Sequence, residues 1–122
     1  MTNCKSILII DDDLHIRTTM KEIFESDGHI VHLSENGHVA LNALTVIGNP
    51  AVIFLDVHMP IMGGLEFFQV LKNNERLRDI PVVVMSAGGD LNKFTNANSS
   101  IRKPFELDAI LKVAKTYCCI ES

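Results

Sequence analysis

The chain has 122 residues, a length that suits one domain able to bury roughly two-thirds of its unfolded surface without staples. Apolar residues make up 47% and charged residues 21%, and the formal charge of −4 gives no electrostatic ground for binding nucleic acid or an anionic membrane directly. No apolar stretch approaches the roughly 20 residues of a membrane span, and the opening "MTNCKSILIIDDD" runs from a short apolar core into acids, unlike a signal peptide.

"SILII" (6–10) is a continuous apolar run, the mark of a strand buried on both faces. Ile16, Met20, Ile23 and Phe24 then recur at helical spacing, and Asp27-Gly28 supplies a stop signal. "HIVHLS" (29–34) reads as a second strand, and Ala40, Ala43, Leu44 and Ile47 make a helical face closed by "GNP" (48–50). "AVIFL" (51–55) is the third strand, followed by a helix carrying Leu65, Phe67, Phe68 and Leu71. "IPVVVM" (80–85) is the fourth and the most β-branched strand. The stretch "GGDLNKFTNANSS" is weakly patterned, with only Leu91 and Phe94 as helix anchors. "SIRK" (100–103) is a short fifth strand, and Leu107, Ile110, Leu111, Ala114 and Cys118 stripe the last helix.

Strands alternating with helices predict a doubly wound α/β fold, a five-stranded parallel sheet covered on both faces. Right-handed crossovers leave few arrangements, and the order 2-1-3-4-5 is a common one, with ligands held outside the carboxyl ends of the strands. Three cysteines, Cys4, Cys118 and Cys119, form neither a disulfide framework nor a metal-ligand spacing, so reduced thiols in a cytoplasmic protein are expected.

The strand ends are where the polar groups fall. The first ends in Asp11, Asp12 and Asp13, the third in Asp56, the fourth in Ser86, the fifth in Lys103-Pro104. Two ionised carboxylates about 5 Å apart repel by roughly 3 kcal/mol at an effective dielectric near 20, so the cluster calls for protons or a cation. Hard oxygen ligands suit Mg²⁺, while Lys103 and the Ser86 hydroxyl would hold phosphoryl oxygens and Asp56 would be the nucleophile. Each element alone has a plainer explanation. "DDD" before a helix is a capping signal, an Asp after a strand is a turn residue, and Lys103 is a solvated charge. His58 contributes only its backbone carbonyl or an outward ring; His15, His29, His32 and His38 show no partner pattern, and Gly63 and Gly64 serve helix entry. The conjunction at successive strand ends is what carries information.

"LIIDDD", "FLDVHMPIMGGLE", "VVVMSA" and "RKPF" together resemble the receiver domains of two-component response regulators, of the CheY-like, stand-alone type. The resemblance covers a core from about 5 to 118, which makes 1–122 a single receiver domain. It implies Asp56 as phosphoacceptor, with Asp12, Asp56 and the His58 carbonyl as Mg²⁺ ligands and Asp11 acting through water; Mn²⁺ would substitute. It also implies Ser86 as the switch hydroxyl, the small Ala87 (and its backbone) beside the phosphate, and Lys103 contacting the phosphate through a cis bond to Pro104. The implied partners are a histidine kinase or histidine phosphotransfer protein as donor and a downstream protein as target. The chain would promote its own phosphorylation and dephosphorylation, with no independent substrate turnover.

Two features depart from that pattern. Ser100 stands where the family usually has Tyr or Phe, and Ser86 to Lys103 spans only 17 positions, which predicts a short or eroded fourth helix. These features favour the alternative of a phosphorylation-independent adaptor; a second alternative is a receiver fragment of a larger regulator or hybrid kinase. An aspartate-nucleophile phosphatase would place a second Asp two residues after the nucleophile, where this chain has His58.

Overall fold

The apolar runs of the sequence become the strands of one sheet. The computed structural model describes residues 2–59, 61–88, 94 and 97–118, with side chains from Ser6 onward. Its elements are β1 (Thr2–Ile10), α1 (Leu14–Ser26), β2 (Ile30–Ser34), α2 (Gly37–Ile47), β3 (Asn49–Asp56), α3 (Gly64–Lys72), β4 (Val82–Ser86), β5 (Ser99–Arg102) and α4 (Leu107–Tyr117). The strands are parallel, in the order β2-β1-β3-β4-β5. This is the doubly wound arrangement expected from the alternation.

Strand period separates the core into two layers. Leu8, Ile10, Ile53, Leu55 and Val84 point to the face covered by α2 and α3, through Ala40, Leu44, Phe67 and Leu71. Ile7, Ile9, Val52, Phe54, Val83 and Met85 point to the other, against Met20 and Phe24 of α1 and Ile110 and Ala114 of α4. The central runs Ile7–Ile10, Val52–Leu55 and Val82–Met85 are therefore apolar at every position, and polar side chains follow where those runs stop. Asp13 caps α1 by accepting from the backbone N–H groups of His15 and Ile16, and Asn36 caps α2 by accepting from Val39 N–H.

Several boundaries differ from the sequence expectation, for reasons of pairing. β1 starts at Thr2 because Thr2 and Asn3 pair with Asn49 and Pro50. The end of "GNP" is therefore strand, and β3 opens two residues early. β4 runs from Val82 to Ser86 rather than from Ile80 to Met85: Pro81 offers no N–H, although its carbonyl accepts from Ile53 N–H at 2.9 Å. β2 and β5 shift by one residue, which puts His29 before β2 and Lys103 just past β5. Leu107 is half-exposed at the start of α4, although it lies on the apolar stripe.

The expected short fourth helix lies mostly outside the described residues, as does Leu91. Phe94 itself is buried, its ring 5.3 Å from that of Phe68. Asn98 then starts the return to the sheet, exchanging two bonds of 3.0 Å with the backbone of Val82. Among the described residues, no helix is long and apolar enough to cross a membrane.

Phe54 is fully buried in the layer under α1, its ring 5.1 Å from that of Phe24. Phe54→Ala is expected to cost about 3–5 kcal/mol of folding free energy, read as a lower urea midpoint at unchanged slope.

Candidate functional site

The sheet order places the ends of β1 and β3 side by side, so the acids that terminate them meet. Asp11 is fully buried; its backbone N–H donates to Ser34 O at 3.1 Å, tying it to the end of β2. Its Oδ1 accepts from Asp13 N–H at 2.9 Å, so one acid orients the corner that the next but one caps. Asp12 faces solvent between them. Asp56 is 5% exposed and lies in register with Met85 of β4. Asp11, Asp12 and Asp56 can each offer a carboxylate oxygen, with these atoms all within 4.8 Å of one another.

Lys103 completes the cluster from the far side of β4. Its backbone N–H donates to Ser86 O at 2.9 Å, fixing the chain as it leaves β5, and its peptide bond to Pro104 is cis. Its ammonium donates to Asp11 Oδ2 at 2.7 Å and to Asp56 Oδ1 at 3.2 Å. The lysine is thus a half-buried counter-ion for two acids, and not the solvated charge it resembles in isolation.

Burial, and next the charge of Asp11, push the Asp56 carboxyl up to about 6, against the pull of Lys103 and of a backbone hydrogen bond from His58. Burial acts to lower the Lys103 ammonium, but its bond to Asp11 and the charges of both acids outweigh it, so its pKa lies above the usual lysine value. One ammonium cannot neutralise three carboxylates. The residual negative charge and the hard oxygen donors fit a small divalent cation.

The remaining expected residues border the same cluster. Ser86 is buried, and its hydroxyl accepts from Gly88 N–H at 3.0 Å. Ala87 is exposed and lines an open cavity of about 500 Å³ with His15, Ile16, Lys103, Pro104 and Phe105. His58 is exposed in the loop after Asp56, with its backbone bonded to the carboxylate. His15 and His38 are exposed; His29 is buried, its Nε2 3.6 Å from Asp27 Oδ2.

One supporting residue and one close contact were not visible in the pattern. The Arg17 guanidinium donates to the backbone carbonyl of Asp11 at 2.7 Å, bracing the corner from α1. Gly64 lets α3 begin against the end of β3: a Cβ there would collide with the Asp56 carbonyl oxygen and lie 2.8 Å from Val57 Cα. Gly64 fits the expected role in helix entry, but the close approach to Asp56 is readable only in three dimensions.

Fold and site together define a parallel α/β domain with an acid-lysine cluster at its carboxyl edge. The chain belongs to the response regulator receiver domain family, whose model matches residues 7–115. It is 32% identical over 123 residues to sporulation initiation phosphotransferase F of Bacillus subtilis, covering 97% of each chain. It is 30% identical over 115 residues to the regulatory protein AtoC of Escherichia coli, covering 90% of this chain but only 24% of that much longer relative. Among solved structures, it is similar to the response regulator TrrA of Thermotoga maritima in complex with Mg²⁺-BeF: the TM-score is 0.82 at 27% identity, over 93% of this chain and 98% of that one. The protein is accordingly a receiver domain of two-component signalling.

The raised Asp56 pKa has a consequence for stability. Native Asp56 holds its proton more tightly than the unfolded carboxyl, whose ordinary value is 3.8, so its contribution is greatest below that pH and is lost as pH rises through about 6. Asp56→Asn removes the effect. The variant is expected to match the wild type near pH 4 and to exceed it by about 2–3 kcal/mol above pH 7, measured by urea unfolding across that range in metal-free buffer.

Proposed function

We propose that Asp56 is the phosphoacceptor, taking a phosphoryl group from a phosphohistidine of a histidine kinase or phosphotransfer protein. The observation that carries the reading is the Lys103 ammonium shared between Asp11, at 2.7 Å, and Asp56, at 3.2 Å, in a pocket with three converging carboxylates. A carboxylate oxygen of Asp56 attacks phosphorus, the bond from phosphorus to the histidine nitrogen breaks, and the imidazole leaves with the electron pair. Hydrolysis of the acyl phosphate later restores Asp56. Lys103, the Ser86 hydroxyl and the Ala87 backbone hold the phosphoryl oxygens.

Asp12, Asp56 and the His58 carbonyl would ligate Mg²⁺, or Mn²⁺ in its place, with Asp11 acting through water. The metal, when bound, neutralises charge on the transferring group and the acids around it. Asp56 is the reacting carboxylate only when ionised, and its value of about 6 leaves it mostly so at neutral pH. The core from about 5 to 118 acts as one receiver unit in the cytoplasm, and the phosphorylated form binds a downstream protein target. No independent substrate is turned over.

A second reading, a phosphorylation-independent adaptor, is favoured by Ser100. It lies exposed on β5 where the family usually places the aromatic ring that senses phosphorylation.

Intact-mass measurement after incubation with acetyl phosphate tests the first reading. One phosphoryl group is expected, dependent on Mg²⁺ and absent in Asp56→Asn; Lys103→Ala is expected to slow the gain by about a hundredfold. No adduct even with rapid quenching would sink the phosphoacceptor and leave the adaptor.

Thermal melts provide a second check. Mg²⁺ is expected to raise the melting temperature at pH 7.5 and much less at pH 5, where Asp56 retains its proton, with EDTA reversing the gain.

A further inference from the structure

The loop from Val57 to Gly63 connects Asp56 to α3 and carries His58, and the backbone pins it at three points. Val57 N–H donates to Met85 O at 3.1 Å, Gly64 N–H to Val57 O at 3.1 Å, and Gly37 N–H to Met62 O at 3.3 Å. The first two ties hold the ends of the loop to β4 and α3. The third reaches it from a different element, the start of α2.

Within this loop Ile61 has φ +67° and is 84% exposed. A β-branched residue in the left-handed region is strained, and such strain persists only where the surroundings over-determine the backbone. The exposed side chain has little packing to offset the strain, so restraint falls to the pinned neighbours. On the Met62 side that neighbour is Gly37. A Cβ on Gly37 would lie 2.8 Å from Met62 Cγ and Sδ and 2.9 Å from Phe67 Cβ. The thioether could turn aside, but Phe67 is buried in α3 and its Cβ is fixed by the backbone. Gly37 is held in turn by Asn36, a buried cap that accepts from Val39 N–H at 2.9 Å.

We infer that Gly37 is a positioning residue for the metal-carrying loop: the bare start of α2 presses against Met62 and keeps the strained turn at Ile61 in the form that sets the His58 backbone beside Asp56. This rests on the proposed role of the His58 carbonyl as a metal ligand. A methyl group at position 37 would force α2 and α3 apart, free Met62 and let the turn relax. His58, three residues before Ile61, would then lose its setting. Asp11, Asp12 and Lys103 belong to other strand ends and would stay in place.

The test is Mg²⁺ affinity by calorimetry, with thermal stability and the amide shifts of Asp56 and His58 recorded beside it. Gly37→Ala is expected to raise the Mg²⁺ dissociation constant by at least about fivefold and to displace the His58 amide signal. Met62→Ala opens the same contact without overpacking, so it serves if Gly37→Ala does not fold; a rise of at least about threefold is expected. With Met62 shortened, adding Gly37→Ala should weaken binding less than it does in the wild type, because two of the three colliding atoms are gone. Mg²⁺ affinity within about twofold of wild type in the folded variants, whatever their melting temperatures, would overturn the inference alone and reduce Gly37 to a packing residue. A wild-type chain that bound no Mg²⁺ would overturn the metal reading itself, and the inference with it.

Discussion

The mutual repulsion of Asp11, Asp12 and Asp56 is the constraint to which the carboxyl edge of this sheet is fitted. Their oxygens can converge within 4.8 Å, a spacing at which each ionised pair costs roughly 3 kcal/mol at an effective dielectric near 20. A surface would let such groups splay into water. Here Asp11 and Asp56 cannot, because each directly follows or ends a strand that is apolar on both faces and seated between helices. The architecture meets the repulsion in three ways: it leaves Asp12 in solvent, raises the proton affinity of Asp56, and brings Lys103 into the gap. One ammonium among three carboxylates still leaves the site short of positive charge, which is a condition for taking up a cation.

The sheet order makes that arrangement attainable. β1 and β3 are neighbours, so their terminal acids meet without any long reach. The lysine arrives from β5, two strands away from β3, and only a long side chain can cross the end of β4 to both carboxylates. The backbone bond from Lys103 to Ser86 O fixes where that crossing starts. Ser86 serves here through its carbonyl, while its hydroxyl is engaged by Gly88 N–H. Side chain and main chain of one residue therefore tie the site to β5 and to the turn after β4.

Local pattern carried the fold far because the central strands are buried on both faces and the helices on one; apolar runs and helical stripes report those two environments directly. It failed where pairing or packing decides. Thr2, Asn3, Asn49 and Pro50 have no strand-like pattern and are strand because β1 and β3 continue side by side. Leu107 fits the stripe of α4 but begins the helix at the rim, beyond the core. The site was legible as a conjunction of strand ends, since topology turns that linear feature into proximity. The "DDD" run is instructive: Asp13 is the plain helix cap, and Asp11 and Asp12 belong to the acid cluster, so the two readings of one motif apply to different residues. Arg17 and Gly37 left no trace in the pattern. One acts on a backbone carbonyl and the other by lacking a side chain, and neither role has a periodicity.

The departure at Ser100 bears on how a change at Asp56 could be read elsewhere. β5 buries only Ile101, while Ser100 and Arg102 face outward, so the strand has no aromatic side chain that could swing between surface and interior. The aromatic residue of α4, Tyr117, donates to Asn98 O at 3.3 Å, at the opposite end of β5 from Lys103. A ring in that place is remote from the cluster. Beside the ties of Asp11 to β2 and α1, four backbone and polar ties join the Asp56 and Lys103 side of the cluster to its surroundings: Lys103 N–H to Ser86 O, Gly88 N–H to the Ser86 hydroxyl, His58 to the Asp56 carboxylate, and Gly37 N–H to Met62 O. Two of them lead to β5 and the turn after β4, and two lead through the loop after Asp56 to α2. In this chain the physical routes out of the site are hydrogen bonds and close backbone contact, and α2 stands on one of them as firmly as β5 stands on the other.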